Sequence, residues 1–331
     1  MESFTENTTY DIHVYDGDIY ISSINGFKKI ASDGEHLWDQ SFYAPNATLL
    51  SAGAYSCVVD INGKDAYLFN SEGLLTKVST EYAILMADVN EGGAMTFLLE
   101  TDHGYRIDIY NRLGKFAATR DIIIEEDGYP IAMDLSPKGD VLAINHITID
   151  QGSVNSSLIF LGFGDATLQD PNRIIGAQIL PDEWLAEVKF YKGNHMIGFS
   201  DHALIFYDLK DGPSLVATYN LDMMLTDYVM TEDGIMLSLL DQLTMESYMV
   251  IIDYEGKEIN NTKLETPLIG FESDESSYYL ITDYQIEKYD NGKRIWFTKT
   301  SRPVSDIISL GKEYYLIEYP SSYEVIRMKD I

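Results

Sequence analysis

The chain has 331 residues, of which 45% are hydrophobic and 12% aromatic, so it carries enough apolar side chains for a folded core. Its 53 acidic residues outnumber its 23 basic residues and give a net charge of -30. A field of this sign repels phosphate backbones and anionic lipid head groups, which argues against nucleic acid as a partner.

Two further features limit the class of protein. Cys57 is the only cysteine, which excludes an internal disulfide framework, and its apolar neighbours predict a buried strand thiol. No apolar run approaches the roughly 20 residues that a membrane-spanning helix requires. We therefore expect a chain without a membrane span, while a signal or anchor removed upstream of Met1 stays open.

The first clear structural signal lies in residues 18–38. Alternating apolar residues such as Ile19 and Ile21 predict a strand, because their spacing of two residues places them on one face of a sheet. Asp33-Gly34 follows in the same stretch and is typical of a hairpin turn. The pattern predicts short antiparallel strands and no helix.

The same turn chemistry recurs at regular intervals along the chain. Counted from Gly34, successive turn glycines are 39, 41, 50, 48, 44 and 36 residues apart. They are Gly73, Gly114, Gly164, Gly212, Gly256 and Gly292. A four-stranded blade of a β-propeller occupies about 40 to 50 residues, so each interval predicts one blade.

One repeat contains four separate strand patterns, as a blade requires. They lie at 185–190, 195–199, 203–207 and 214–219. Strands this short are unstable alone, so we expect stability to come from packing between neighbouring blades. The stretch near residues 147–172 lengthens one interval to 50 residues and predicts a longer hairpin, which either serves binding or is an idle surface insertion.

The two ends of the chain predict how the ring closes. An eighth repeat begins at Val304, but the chain ends before its fourth strand. Residues 2–7 precede the first complete repeat, so we expect this segment to pair as the outermost strand of the last blade. The prediction is a single all-β propeller domain over residues 1–331, with 1–8 as closing strand or leader and 9–331 as blade repeats. Eight blades are favoured and seven are the alternative.

Several segments resemble known propeller repeats. Residues 16–21 with 32–38, ending in Trp38, resemble the PQQ-type repeat, and residues 289–296 repeat the likeness up to Trp296. Residues 134–143 are similar to a segment of WD-repeat and TolB-like propellers. The whole chain resembles an uncharacterised bacterial family of secreted or membrane-anchored PQQ-like propellers. That likeness implies an extracytoplasmic location at the cell surface, with the cytoplasm as the alternative. Because only two units keep the tryptophan, no quinone cofactor is expected.

Motifs with recognisable chemistry are scarce. None of the six histidines is spaced as in a zinc-peptidase helix, and no nucleophile elbow or phosphate loop occurs. A weak candidate for calcium is the turn with Asp60, Asn62 and Asp65, which offers three oxygen-bearing side chains around Gly63. It lacks the closing glutamate of an EF-hand, so an ordinary β-turn is the alternative.

The absence of motifs favours a non-catalytic function. We expect a monomeric binding or scaffolding module whose loops contact a protein, peptide or glycan partner. Trp38, Trp184 and Trp296 are candidates either for partner contacts or for packing between blades. The alternative is a propeller enzyme, such as a lactonase, a glycosidase-like hydrolase or a lyase. Its site would be assembled at the central channel from single residues of many blades.

Overall fold

The computed structural model describes residues 2–3, 10–150, 152–163, 173–266, 268–273, 277–290, 293–311, 313–320 and 322–327. These residues form eight four-stranded antiparallel sheets, which are the blades of a propeller. One short helix, α1 (Ile124–Asp127), lies between the third and fourth blades. The predicted all-β propeller with eight blades is confirmed, and the seven-blade alternative is wrong.

The strands of the first four blades follow the chain in order. Blade 1 contains β2 (Tyr10–Tyr15), β3 (Asp18–Ser23), β4 (Gly26–Ile30) and β5 (His36–Ser41). Blade 2 contains β6 (Ala47–Ala52), β7 (Tyr55–Asp60), β8 (Asp65–Asn70) and β9 (Gly73–Ser79). Blade 3 contains β10 (Ala83–Val89), β11 (Met95–Thr101), β12 (Gly104–Tyr110) and β13 (Phe116–Ile122). Blade 4 contains β14 (Tyr129–Leu135), β15 (Val141–Asp150), β16 (Ser153–Gly162) and β17 (Ile174–Leu180).

The remaining blades repeat this order. Blade 5 contains β18 (Leu185–Lys192), β19 (His195–Ser200), β20 (Ala203–Asp208) and β21 (Ser214–Asn220). Blade 6 contains β22 (Met224–Met230), β23 (Gly234–Asp241), β24 (Glu246–Asp253) and β25 (Glu258–Lys263). Blade 7 contains β26 (Gly270–Ser273), β27 (Ser277–Thr282), β28 (Gln285–Asp290) and β29 (Lys293–Lys299). Blade 8 contains β30 (Asp306–Gly311), β31 (Tyr314–Tyr319), β32 (Ser322–Arg327) and β1 (Glu2–Ser3).

The first strands of the blades surround the axis of the ring. Contacts of β14 with β18 and of β22 with β26 join first strands of neighbouring blades, and β2 contacts β30 across the ends of the chain. In blade 8 the chain supplies only three consecutive strands, and β1 adds the fourth. Glu2 lies opposite Tyr323 and Ser3 opposite Ser322 in this antiparallel pair. The predicted closure by the N-terminus is confirmed, although residues 4–9 lie outside the described ones.

Within the described residues the core consists of eight hydrophobic clusters, one at each junction between neighbouring blades. At the junction of blades 1 and 2, the rings of Phe27 and Phe69 lie 4.6 Å apart. Cys57 belongs to the cluster between blades 2 and 3, and burial raises the pKa of its thiol to about 12. Since each cluster draws on two blades, a blade cannot bury its apolar faces alone.

Trp38 and Trp296, the tryptophans of the two units that resemble PQQ-type repeats in sequence, both dock on the following blade. The indole nitrogen of Trp38 donates to the Ser71 carbonyl of blade 2 at 3.1 Å, and its ring stacks on Phe69. Trp296 packs against Tyr315 of blade 8 at a ring separation of 5.7 Å. These two side chains therefore serve the packing between blades.

Five of the predicted turn glycines lie at the turns between the third and fourth strands of their blades. Gly34, Gly73, Gly114, Gly212 and Gly256 all have positive φ. The requirement for glycine is strictest at Gly114, where φ is +69° and a Cβ would meet the Thr76 hydroxyl at 2.6 Å. Gly164 and Gly292 lie outside the described residues.

Strand order divides the loops between two faces of the ring. Turns after first and third strands lie at one end of each blade, and those after second strands at the other end. The link from a fourth strand to the next blade starts at this second end, so every blade has the same orientation. The turns between second and third strands and the links between blades therefore form one surface. We call this surface the link face.

Candidate functional site

The structure places the three calcium candidates of blade 2 in separate contacts. The Asp60 carboxylate accepts the Asn46 N–H at 3.0 Å, and Asn62 occupies the turn with φ +64°. Asp65 begins β8, and its carboxylate contacts the Lys77 ammonium at 2.8 Å and the Ser79 hydroxyl at 2.6 Å.

A cation at this turn would therefore have to displace Lys77 from Asp65. In the part of the chain that the structure describes, no three or more His, Cys, Asp or Glu side chains are grouped to hold a metal ion. Calcium at Asp60, Asn62 and Asp65 stays a prediction.

The histidines do not converge on the axis. Only His13 lies on a first strand, whereas the other five lie on second or outer strands or in turns: His36, His103, His146, His195 and His202. His146 is fully buried in blade 4, and burial lowers the pKa of its imidazole to about 4. A site assembled from several histidines around the channel is thus not formed.

Carboxylates line the channel instead. Seven of the eight first strands carry an acidic residue, and β6 is the exception. These residues are Asp11, Asp88, Asp134, Glu187, Asp227, Glu272 and Asp306. In five strands the acid is an Asp followed by an apolar or aromatic residue, as in Asp11-Ile12 and Asp306-Ile307. An alignment of the repeats would show this recurring pair of an Asp and an apolar or aromatic residue, and could have located the channel carboxylates from the sequence.

Several of these carboxylates join neighbouring blades by hydrogen bonds. Asp11 accepts the Leu49 N–H of blade 2 at 3.1 Å, and Asp88 accepts the Leu135 N–H of blade 4 at 2.8 Å. Asp134 accepts the Phe190 N–H of blade 5 at 2.6 Å, and Asp227 accepts from Phe271 of blade 7. Each contact fixes the first strand of one blade to that of the next.

The carboxylates between blades 3 and 5 form a tightly coupled pair near one cation. Burial raises the pKa of Asp88, and burial together with the charge of Asp88 raises the pKa of Asp134. The Lys189 ammonium lies 3.7 Å from Asp134 and 3.6 Å from Glu187. Burial lowers the pKa of Lys189, but the surrounding carboxylates outweigh burial and raise it.

A second acidic group lies across blades 6 to 8. Burial and repulsion from Asp306 and Asp227 raise the pKa of Glu272 to about 8. Burial is the main cause that raises the pKa of Asp306 to about 6, and the charge of Asp227 adds to it. Burial and the charges of Asp306 and Asp11 raise the pKa of Glu318, on β31, to about 7. These carboxyls can hold protons near neutral pH.

The channel wall of blades 2 to 5 is largely apolar. A cavity of about 450 Å³ lies there, lined by the first strands β6, β10, β14 and β18. Leu50, Met86, Ile131 and Met133 provide its apolar surface, and Glu187 with Lys189 forms its charged edge. The channel therefore has chemically different sides.

On the link face, the longest hairpin projects from blade 4. Tyr129 of β14 pairs with Ile147, and Leu180 of β17 pairs with Ser156, but β15 and β16 continue pairing beyond these residues. The last three residue pairs extend about 10 Å past the outer strands. The predicted long hairpin is confirmed here, while residues 164–172 lie outside the described ones.

The link from blade 4 to blade 5, residues 181–184, presents Trp184 beside this hairpin. Trp184 is 53% exposed. The next residue is fixed from both sides: the Leu185 N–H donates to the Ser156 hydroxyl at 2.8 Å, and its carbonyl accepts from the Asn145 amide at 2.6 Å. These buried polar contacts hold the backbone that carries the exposed indole.

A second exposed apolar side chain lies at the hairpin turn of blade 6. Leu243 is 96% exposed. The Asp241 carboxylate accepts the Leu243 N–H at 2.8 Å and the Thr244 N–H at 3.3 Å. The turn is therefore ordered by its own hydrogen bonds, and exposure of the leucine is not a result of missing local structure.

We define the blade 4–6 sector as link residues 123–128, 181–184 and 221–223 with turn residues 201–202 and 242–245. These residues, all described, include seven acids and neither Lys nor Arg. The acids are Glu125, Glu126, Asp127, Asp182, Glu183, Asp201 and Asp222. One of them has a neighbouring cation, since Arg120 contacts Asp127 at 3.1 Å. The sector thus combines exposed apolar side chains with negative charge.

Comparison with solved structures supports the fold. The chain is similar to BamB from Moraxella catarrhalis, with a TM-score of 0.57 and 9% identity over 98% of this chain and 95% of that one. It is similar to apo AztD from Citrobacter koseri, with a TM-score of 0.60 and 12% identity over 89% and 87%. Two structures of Hsv2 from Kluyveromyces lactis give TM-scores of 0.53 and 0.54, each with 11% identity over 88% of this chain and 99% of that one. At such identities the likeness concerns the fold alone.

Sequence comparison adds a family without a function. A family model described as a family of unknown function, DUF5711, matches residues 2–328. No curated protein matches the chain. Among the residues that the structure describes, no helix is long and apolar enough to cross a membrane.

Proposed function

Because the chain belongs to DUF5711, a family of unknown function, we propose a function from its geometry: it is a non-catalytic binding or scaffolding propeller. Its loops contact a protein, peptide or glycan partner. The observation that carries this proposal is the exposure of Trp184 and Leu243 on backbone that hydrogen bonds already order. Ordered loops lose little conformational freedom on binding, which favours association.

The proposal includes a location and an assembly state. We propose a PQQ-like propeller that acts as a monomer outside the bacterial cytoplasm, at the cell surface or secreted. The sequence resemblance supports this location, and the acidic surface supports solubility as a single chain. Sedimentation at several concentrations would test the monomer.

Binding can be tested without knowing the partner. The tagged protein is incubated with envelope material of the native cells, and the retained amount is measured as a function of protein concentration. We expect saturable retention that protease treatment removes if the partner is a protein, or that periodate removes if it is a glycan. Retention that rises linearly without saturation would contradict a specific binding module.

The channel carboxyls favour an enzyme as the second candidate. Glu272, Asp306 and Glu318 have raised pKa values of about 8, 6 and 7, which are suited to proton transfer near neutral pH. A panel of lactones and aryl glycosides would test this candidate. Turnover that disappears in Glu272→Gln would favour a hydrolase or lyase at the channel, and no turnover with any substrate would count against it.

A further inference from the structure

Trp184 and Leu243 offer two apolar contacts on neighbouring parts of one face. Trp184 leads into blade 5, and Leu243 lies at the turn of blade 6, whose core cluster is shared with blade 5. Stacked sheets lie about 10 Å apart, so the blade 4–6 sector spans about 20 Å or somewhat more towards the rim. An extended peptide covers this length with about six residues.

The charge around these side chains indicates what the partner carries. Glu183 precedes Trp184 and is half-buried, whereas the neighbouring Asp182 is exposed. Asp182, Asp201 and Asp222 lie in the neighbouring links and turns, where the described residues include neither Lys nor Arg. Because these carboxylates are exposed, they favour a partner segment that carries cationic side chains.

We propose that the blade 4–6 sector binds a basic polypeptide segment that also carries apolar side chains. Trp184 and Leu243 contact the apolar side chains, and the exposed carboxylates of the sector attract its Lys or Arg side chains. This inference rests on the proposed binding function and narrows its partner to one chemistry. Aromatic side chains on rigid backbone are typical of the residues that dominate binding energy.

The test uses synthetic peptides as probes. A short labelled peptide of equal parts Lys and Leu is compared with a Lys and Ser peptide of the same charge and with a Glu and Leu peptide. Fluorescence anisotropy at physiological salt gives each Kd. We expect the Lys and Leu peptide to bind about tenfold more tightly than the Lys and Ser peptide, which corresponds to one apolar anchor. The Glu and Leu peptide should not bind.

The variants have a matched control on the other face. Leu113 is 61% exposed in a turn where the Asn111 side chain accepts the Leu113 N–H at 2.9 Å, as Asp241 does for Leu243. We expect Trp184→Ala to raise the Kd of the Lys and Leu peptide about tenfold and Leu243→Ser to raise it about threefold. Leu113→Ser should change the Kd less than twofold, because it alters the opposite face.

Each outcome decides between the inference and the broader function. Equal weakening by Leu113→Ser and Leu243→Ser, or equal binding of the Lys and Leu and Lys and Ser peptides, would overturn the inference. Envelope retention that persists in Trp184→Ala combined with Leu243→Ser would also overturn it, while leaving the binding function in place. Failure of the wild-type protein to be retained would reject the binding function itself.

Discussion

Replacing Glu272 by Gln removes a half-buried carboxyl group that Asp306 and Asp227 repel in the channel. Its native pKa of about 8 lies above the ordinary value of 4.5, so the native state holds the proton more tightly than the unfolded chain does. Stability from this proton is fully present below the unfolded pKa and is lost as pH rises towards 8. The free energy of unfolding should therefore fall with pH in this window.

The magnitude follows from the shift. A group that is protonated only in the native state changes the free energy of unfolding by about 1.4 kcal/mol per pH unit. Between about pH 5.5 and about pH 7.5 this amounts to about 2.7 kcal/mol, which partial exposure reduces to about 2 kcal/mol. For a chain of this size the loss corresponds to about 3 °C in Tm.

Urea unfolding at a series of pH values measures the effect. We expect the wild-type free energy of unfolding to fall by about 2 kcal/mol more than that of Glu272→Gln across this window. The matched control is Glu72→Gln, which removes an exposed turn carboxyl of blade 2 and so separates the loss of one acidic group from the loss of the channel carboxyl. Identical slopes for the wild type and Glu272→Gln would refute the assignment of a protonated Glu272 in the native channel.

Three further predictions concern other parts of the ring. Asp88→Ala should lower the free energy of unfolding by about 1 to 3 kcal/mol, because the Leu135 N–H loses its acceptor. Asp88→Asn keeps an acceptor and should cost less. Equal losses for the two variants in urea unfolding would contradict the role of that hydrogen bond. Gly114→Ala should cost more than about 1 kcal/mol, since its φ of +69° and the nearby Thr76 disfavour a Cβ; an unchanged Tm would count against this reason. Added Ca²⁺ should raise Tm more in Lys77→Gln than in the wild type, because Lys77 neutralises Asp65; equal shifts would speak against calcium at Asp60, Asn62 and Asp65.

The repeat made most of the fold predictable, because short-range chemistry specifies each hairpin. The strands predicted within residues 185–219 differ from β18 to β21 by at most two residues at their ends. The turn glycines had a physical reason to recur, since positive φ excludes most other residues. The count of eight blades followed from the incomplete last repeat and from residues 2–7, whose first part pairs with β32.

The candidate site was less predictable because its parts are far apart in sequence. A first strand shows alternation but not which side chains approach each other across the ring, so the pairing of Asp88 with Leu135 had no local signal beyond the repeated Asp. The exposure of Trp184 depends on the link that Ser156 and Asn145 hold in place. Composition alone could not distinguish this indole from that of Trp296, which packs between blades.

The channel acids fall into groups with different roles. Asp11, Asp88 and Asp134 each accept a backbone N–H of the following blade, so truncating these side chains also removes a contact that orders the ring. Among the described residues, Glu272 and Glu318 make no such contact with the next blade, and repulsion adds to burial in raising their pKa values. The enzyme candidate proposed above therefore rests on carboxyls of blades 7 and 8. The link face over blades 4 to 6 lies elsewhere on the ring, so substitutions can separate the two candidate functions.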